Sequence, residues 1–159
     1  MSEPLSPSAR KVQDTLTALG FACTVVESPH ASRTVAEAAK LVGCDVAQIA
    51  KSLVFRTEKT GRPVLVIASG ANQVNEFRIG MYLKEAVGKA PAAFVRQVTG
   101  FAIGGIPPVG HATAMETFVD QDLMEHEWIW AAGGTPNALF RLAPADLVKM
   151  TGGRVVKVA

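Results

Sequence analysis

The chain has 159 residues, 48% of them apolar and 19% charged, with a formal net charge of +2. That composition fits one globular domain with a real core and excludes a disordered or fibrous polymer. The small positive charge, without any Lys/Arg stripe, excludes a large electrostatic footprint on nucleic acid but permits contact with a few phosphates.

Residues 1–8 carry three serines and two prolines and read as a loose tail ahead of a single domain over 9–159. Residues 1–20 lack an apolar signal segment, and apolar runs such as Val64–Ala68 are too short to cross a bilayer. A cytoplasmic protein with no membrane partner is therefore expected, with Cys23 and Cys44 reduced.

The first helix starts at Ser6-Pro7, which suit N-cap and N1. It carries Val12, Leu16 and Leu19 on one face and stops at Gly20. Phe21–Glu27 reads as a strand, broken by Ser28-Pro29-His30. Thr34-Val35-Ala36-Glu37 is a capping box, and the helix it opens ends at Gly43. Asp45–Gln48 opens a further short helix ending near Lys51. Strands over 52–56 and 64–68, around the turn Thr60–Pro63, form an antiparallel hairpin. The unbroken apolar run of the second marks a buried central strand. Val74–Val87 is expected to be helical, with Phe77, Met81 and Leu83 turned to the core. Pro91–Val95 is expected to be extended, and Val95–Thr99 one helical turn closed by Gly100. Strands at 114–119, 128–131, 138–142 and 155–158, an acidic turn at 120–125 and a helix at 144–150 complete the chain. Helices come early and short strands dominate late, so the fold expected is α+β, a mixed and mostly antiparallel sheet with flanking helices.

No metal-binding or P-loop spacing occurs, and no G-x-S-x-G elbow. His30, His111 and His126 stand far apart, and neither cysteine has a histidine nearby. What remains is a set of positioning groups. Lys51 sits where an apolar helix end meets an apolar strand, so its ammonium is drawn toward the protein body, where burial lowers its pKa. The plainer alternative is a surface lysine with a snorkelling stem. Gly104-Gly105-Ile106-Pro107-Pro108-Val109-Gly110-His111 is a stiff loop whose glycines allow close backbone approach and whose N–H groups suit an ester carbonyl oxygen. The plainer alternative is a tight connection. Gly133–Asn137 is a weaker case of the same kind. Ser69 follows the buried strand, as a nucleophile would. Asn72, Asn75 and Arg78 are either a pocket rim for sugar or phosphate or a helix cap at Asn72.

In order, Lys51-Ser52-Leu53-Val54, Val74-Asn75-Glu76, Thr99–Gly110 and Leu142–Gly152 resemble the YbaK/EbsC proteins, relatives of the editing insertion of bacterial prolyl-tRNA synthetase. The resemblance runs from about His30 to the C-terminus. It implies an aminoacyl-tRNA deacylase that acts on mischarged tRNA, with tRNA(Pro) carrying a small wrong amino acid as the expected substrate. It also implies prolyl-tRNA synthetase as a further partner and no cofactor or metal. Carried over by position, Lys51 and Gly104 are the catalytic candidates. His30, Ser69, Asn75, Gly105, Ile106, Pro107, Pro108, His111 and Gly133 are the substrate-binding ones. Pro107 stands where many relatives carry a small polar residue, so alanyl is favoured over seryl or threonyl esters. The alternative is a non-catalytic module that binds aminoacyl-adenosine or a protein partner.

Overall fold

The computed structural model describes residues 4–30, 32 and 34–159. Among them, no helix is long and apolar enough to cross a membrane. Eight strands form one mixed sheet in the order β1-β7-β6-β2-β3-β5-β8, with β4 pairing β2 off that path. The strands are β1 (Val25–Glu27), β2 (Ile49–Thr57), β3 (Pro63–Ser69), β4 (Val87–Lys89), β5 (Glu116–Asp120), β6 (Ile129–Ala132), β7 (Ala138–Leu142) and β8 (Arg154–Val156). The pairs β1–β7, β2–β3, β2–β4 and β6–β7 are antiparallel. The pairs β2–β6, β3–β5 and β5–β8 are parallel. The α+β class with a mixed sheet is as expected.

Helices cover both faces. α1 (Pro7–Ala18), α4 (Ala92–Thr99) and α5 (Pro144–Thr151) bury Val12, Leu16, Val95, Val98 and Leu147 against Ala50, Val54, Leu65, Ile67 and Phe140. On the other face α3 (Glu76–Leu83) sets Ile79 against Phe55, Val64, Val66 and Phe118. α2 (Val35–Val42) packs Ala38 and Ala39 on Ile49 and Leu139. The period-2 alternation of β2 thus feeds two cores, even positions to one and odd positions to the other. Full burial of each large side chain is worth about 1.5–3 kcal/mol, and the hairpin strand β3 has all but its first residue buried.

The capping logic holds in detail. Thr34 Oγ1 accepts from Glu37 N at 3.1 Å, and Gly43 closes α2 in the left-handed region at φ 73°. Asp45 and Gln48 form the expected capping box, but the turn they open spans only Val46–Gln48. Lys51 is therefore the third residue of β2, not the end of a helix.

Other expectations are corrected. β1 starts at Val25 rather than Phe21, because the Gln13 amide takes up the backbone before it: Nε2 donates to the Cys23 carbonyl at 2.9 Å and Oε1 accepts from Val25 N at 2.8 Å. α3 is shorter than 74–87. Asn75 caps its start and Lys84, at φ 58°, ends it, which frees 87–89 to pair with β2 as β4. Phe77 and Met81 face solvent, 77% and 65% exposed, since the helix turns Ile79 and Gly80 inward. Residues 92–99 are one continuous helix rather than an extended piece and a turn. Pro91 supplies the extended N-cap and the two alanines that follow favour helix. In the N-terminal segment, Ser6 donates from N and Oγ to Glu27 at 2.8 and 2.7 Å, and Pro7 already belongs to α1. Residues 1–3 of the expected tail lie outside the described residues.

Candidate functional site

The sheet leaves a gap that makes the site. Along β2 the edge opposite β3 is paired with β6 at Ile49 and Ala50 and with β4 from Phe55 to Thr57. Lys51 to Val54 have no strand beside them on that edge. A cleft of about 550 Å³ opens there, within the range of roughly 300–1,000 Å³ typical of small-molecule sites. Its floor is Lys51–Phe55. Its walls are Gln73, Val74 and Glu76 before and at the start of α3, Lys89-Ala90 and Val95, and Ile103 and Ile106 of the glycine–proline loop. Lys51 and Ile106, more than fifty positions apart in sequence, thus face one hollow.

The Lys51 ammonium is half-buried. Desolvation pushes its pKa down, and the carboxylate of Asp120 partly opposes that shift. Asp120 is itself buried and fully engaged. Its Oδ2 accepts from Ser69 N at 3.0 Å and from Asn72 Nδ2 at 2.8 Å, and its Oδ1 accepts from Asp122 N at 3.0 Å. One carboxylate therefore pins the end of β3 and the turn after it, and supplies negative potential beneath Lys51. Arg56, the residue after the cleft floor in sequence, lies over the Phe94 ring at 5.1 Å.

The loop is fixed from behind. Gly104 has φ +100°, a backbone conformation that favours glycine. A Cβ there would meet Pro136 Cγ at 3.8 Å, so Gly104 faces the 133–137 turn and does not line the cleft. At Gly105 a Cβ would come within 2.7 Å of Thr135 Cα, so the two backbones touch. Ile106 is the loop residue that reaches both core and cleft. Pro107 and Pro108 are buried behind it.

The remaining candidates are scattered. His111 folds back on its own loop, its Nε2–H donating to the Pro107 carbonyl at 2.6 Å. Burial pushes the imidazole pKa down, the Pro107 bond opposes this, and Lys11 adds to it. Ser69 is buried and donates from Oγ to the Ala47 carbonyl at 2.8 Å, so it joins two loops. Asn75 caps α3, accepting from Arg78 N at 3.1 Å, while Arg78 Nε donates to the Ala159 carbonyl at 3.0 Å. Asn72 is thus a clamp on Asp120 and Asp122, not the cap of α3. His30 is exposed, and its backbone N donates to Ser28 Oγ at 3.2 Å. Gly133 is buried, and a Cβ there would meet Val25 Cγ1 at 2.9 Å. Of the sequence candidates, the cleft brings together Lys51 and Ile106. Gly104, Gly105 and Gly133 support the loop or its backing turn.

Sequence reasoning passed over Ser52, Glu76, Lys89 and Asp120. Ser52 and Glu76 lay inside the segments that carried the resemblance. Asp120 had the signature of a polar cap between a strand and an acidic turn. Lys89 had no local signal. A larger hollow of about 1,080 Å³ lies between the N-terminal segment and β1. It holds none of the candidates, and its carboxylate, Glu27, is already taken by Ser6 and Thr135.

Comparison with known proteins bears on what this cleft serves. The model of the aminoacyl-tRNA editing domain matches residues 29–150. A crystal structure of a candidate trans-editing enzyme for prolyl tRNA synthetase is 46% identical, with a TM-score of 0.92 and 98% of each chain covered. The uncharacterized protein YwhH of Bacillus subtilis is 29% identical over 131 residues, 82% of this chain and 83% of that one. The proline–tRNA ligase of Limosilactobacillus fermentum is 32% identical over 96 residues, which are 58% of this chain but 17% of the ligase. The chain therefore matches only a small part of that ligase.

Proposed function

This chain belongs to the aminoacyl-tRNA editing domain family, and we propose that it is a deacylase that removes a small wrong amino acid from the 3′ end of tRNA, with tRNA(Pro) as its first substrate. The observation that carries the proposal is the meeting of Lys51 with the Ile103–Ile106 loop across one cleft. The match to a segment of proline–tRNA ligase and the likeness to a candidate trans-editing enzyme support the choice of tRNA.

The chemistry is hydrolysis of an activated ester. Water adds to the ester carbonyl, the bond to the terminal ribose oxygen breaks, and free amino acid and tRNA leave. The residues present supply position and charge rather than a nucleophile. The Lys51 ammonium, in a partly desolvated cleft, donates to oxygen of the terminal ribose, phosphate or ester and orients the acyl group. Lys89, paired with Phe55, adds a second cation at the far end of the cleft. Leu53, Val54, Val95, Ile103 and Ile106 form an apolar wall around the acyl side chain. Because the loop is braced on the 133–137 turn, that wall excludes by size, since overpacking a stiff site costs about 1–3 kcal/mol. The attacking water is helped by the neighbouring ribose hydroxyl, and no metal takes part.

The test is a deacylation screen of the purified chain against mischarged tRNAs, alanyl-tRNA(Pro) first, with and without chelator. Turnover of small aminoacyl esters that survives chelation and is lost in Lys51→Ala supports the reading. Tight binding without turnover would instead make the chain a recognition module.

A further inference from the structure

Among the described residues, Ser52 Oγ is the one buried side-chain nitrogen or oxygen without a hydrogen-bond partner in the protein. Such an atom bears its full desolvation penalty, and alanine at the same place would avoid it. Ser52 belongs to the floor of the cleft, so a ligand seated there is the partner that the protein does not supply.

The strand geometry adds a second group beside it. Gly70 N donates to the Ile49 carbonyl at 2.7 Å and Thr57 N to the Arg62 carbonyl at 2.9 Å, so the odd positions of β2 bond toward β3 and its turns. Glu58 N donates to the Ala86 carbonyl at 2.9 Å, so the even positions bond toward the other edge. At Ser52 that other edge is the cleft. Its backbone N–H and C=O therefore point into the hollow with no strand opposite. Side chains alternate along the strand, so Lys51 stands on one face of β2 and Ser52 on the other. The cleft thus has a cation on one side of its floor. On the other side lies the Ser52 hydroxyl, with the Ser52 carbonyl directed into the hollow along the edge between them, while the Glu76 carboxylate at the start of α3 stands on the Lys51 side.

A ligand that fits this polarity carries a cationic donor at one end and a carbonyl oxygen at the other, close together. An aminoacyl ester has this form. We propose that Ser52 is a substrate-positioning residue, its hydroxyl and backbone carbonyl accepting hydrogen bonds from the α-ammonium of the aminoacyl group while the ester oxygen lies toward Lys51. This rests on the deacylase reading and goes beyond it by naming the group that recognises the amino end.

The test compares alanyl-tRNA(Pro) with lactyl-tRNA(Pro), the same ester with a hydroxyl in place of the ammonium, in the wild-type chain, Ser52→Ala and Ser52→Thr. Wild type should prefer the alanyl ester. Ser52→Ala should lower kcat/KM on it by about ten- to a hundredfold, as for loss of a hydrogen bond to a charged group. The same variant should change the lactyl rate little, so the preference collapses. Its thermal midpoint should equal or exceed that of wild type, because an unpaired buried hydroxyl has gone. Ser52→Thr, which keeps the hydroxyl, should regain part of the alanyl preference. A wild-type chain with no alanyl preference, or a Ser52→Ala variant with wild-type rates or with both esters slowed equally, would overturn the role of Ser52 alone. Failure of the wild-type chain to hydrolyse any aminoacyl ester would overturn the deacylase reading, and this inference with it.

Discussion

Gly105→Ala separates the role of the loop's brace from that of its chemistry. A Cβ at this position would lie 2.7, 2.8 and 2.9 Å from Thr135 Cα, C and N, all backbone atoms. The turn that carries Thr135 cannot retreat cheaply. Thr135 Oγ1 donates to Glu27 at 3.1 Å, Ala138 N donates to the Thr135 carbonyl at 3.1 Å, and Glu27 is itself held by Ser6. The loop must move instead, at an overpacking cost of about 1–3 kcal/mol. For a chain of this size that is roughly 2–12 °C in thermal midpoint. Ile106 is the next residue, and it stands on the cleft wall. A shift of about 1 Å in a positioning group is enough to cost roughly a hundredfold in rate. Gly104→Ala is the control. Its Cβ has room, 3.8 Å from Pro136 Cγ, so only the positive φ is strained, at about 1–2 kcal/mol. Differential scanning calorimetry and single-turnover deacylation of both variants decide the matter. A Gly105→Ala chain that melts with wild type and deacylates at the wild-type rate would show that the loop does not need its contact with Thr135.

Lys51→Ala should lower deacylation by roughly a hundredfold or more, as for loss of a charge-stabilising donor, without lowering the thermal midpoint. Lys51→Arg should not restore the rate, since a planar fork does not replace a point charge. Desolvation sets the Lys51 pKa below its ordinary 10.5, so the rate on the alkaline side should fall before an ordinary lysine titrates, which a pH–rate profile reads. Asp120→Ala removes the acceptor of three hydrogen bonds and should cost about 2–4 kcal/mol in denaturant unfolding. His111 binds its proton less readily folded than unfolded, so it subtracts stability as pH falls below the ordinary imidazole value of about 6.5. His111→Gln should flatten the acid limb of the stability–pH curve by at most about 1.4 kcal/mol per pH unit, and an unchanged limb would mean the imidazole titrates freely.

Local signals were legible where a short stretch decides its own conformation. The Thr34 cap, the Gly43 and Gly100 helix stops, the β2–β3 hairpin and the 138–142 strand are of this kind. The errors fall where a distant partner decides. Phe21–Thr24 has strand composition but no strand to pair with, and Gln13 takes its bonds. Phe77 and Met81 have the spacing of a core stripe, but Ile79 and Gly80 fit the sheet better. The site divides the same way. Lys51 and the glycine–proline loop are unusual in their own neighbourhoods, and the cleft brings Lys51 together with Ile106 of that loop. Ser52 is an ordinary strand serine until the sheet leaves it without a partner, and Lys89 is an ordinary surface lysine until β4 brings it to the cleft. Ser69, His111 and Asn75 carry polar side chains, and each is already committed to a hydrogen bond within the fold.

The cleft follows from strand lengths more than from any single residue. β6 accompanies β2 for two residues and β4 for three, and what lies between is an unpaired edge. An exposed edge invites another chain to pair with it. Here the loop carrying Ile103 and Ile106 stands over the gap as a wall rather than as a strand, so it limits access without supplying backbone partners along the edge. That arrangement needs a loop that cannot extend and pair. Pro107 and Pro108 have no N–H to offer, and Gly104 at φ +100° breaks any run of extended residues. The features that make the loop a poor strand are therefore the ones that keep the edge of β2 open to a small polar ligand. They also account for a rigid wall being built from residues of such low intrinsic order as two adjacent glycines, since the Thr135 backbone supplies the rigidity that the glycines lack.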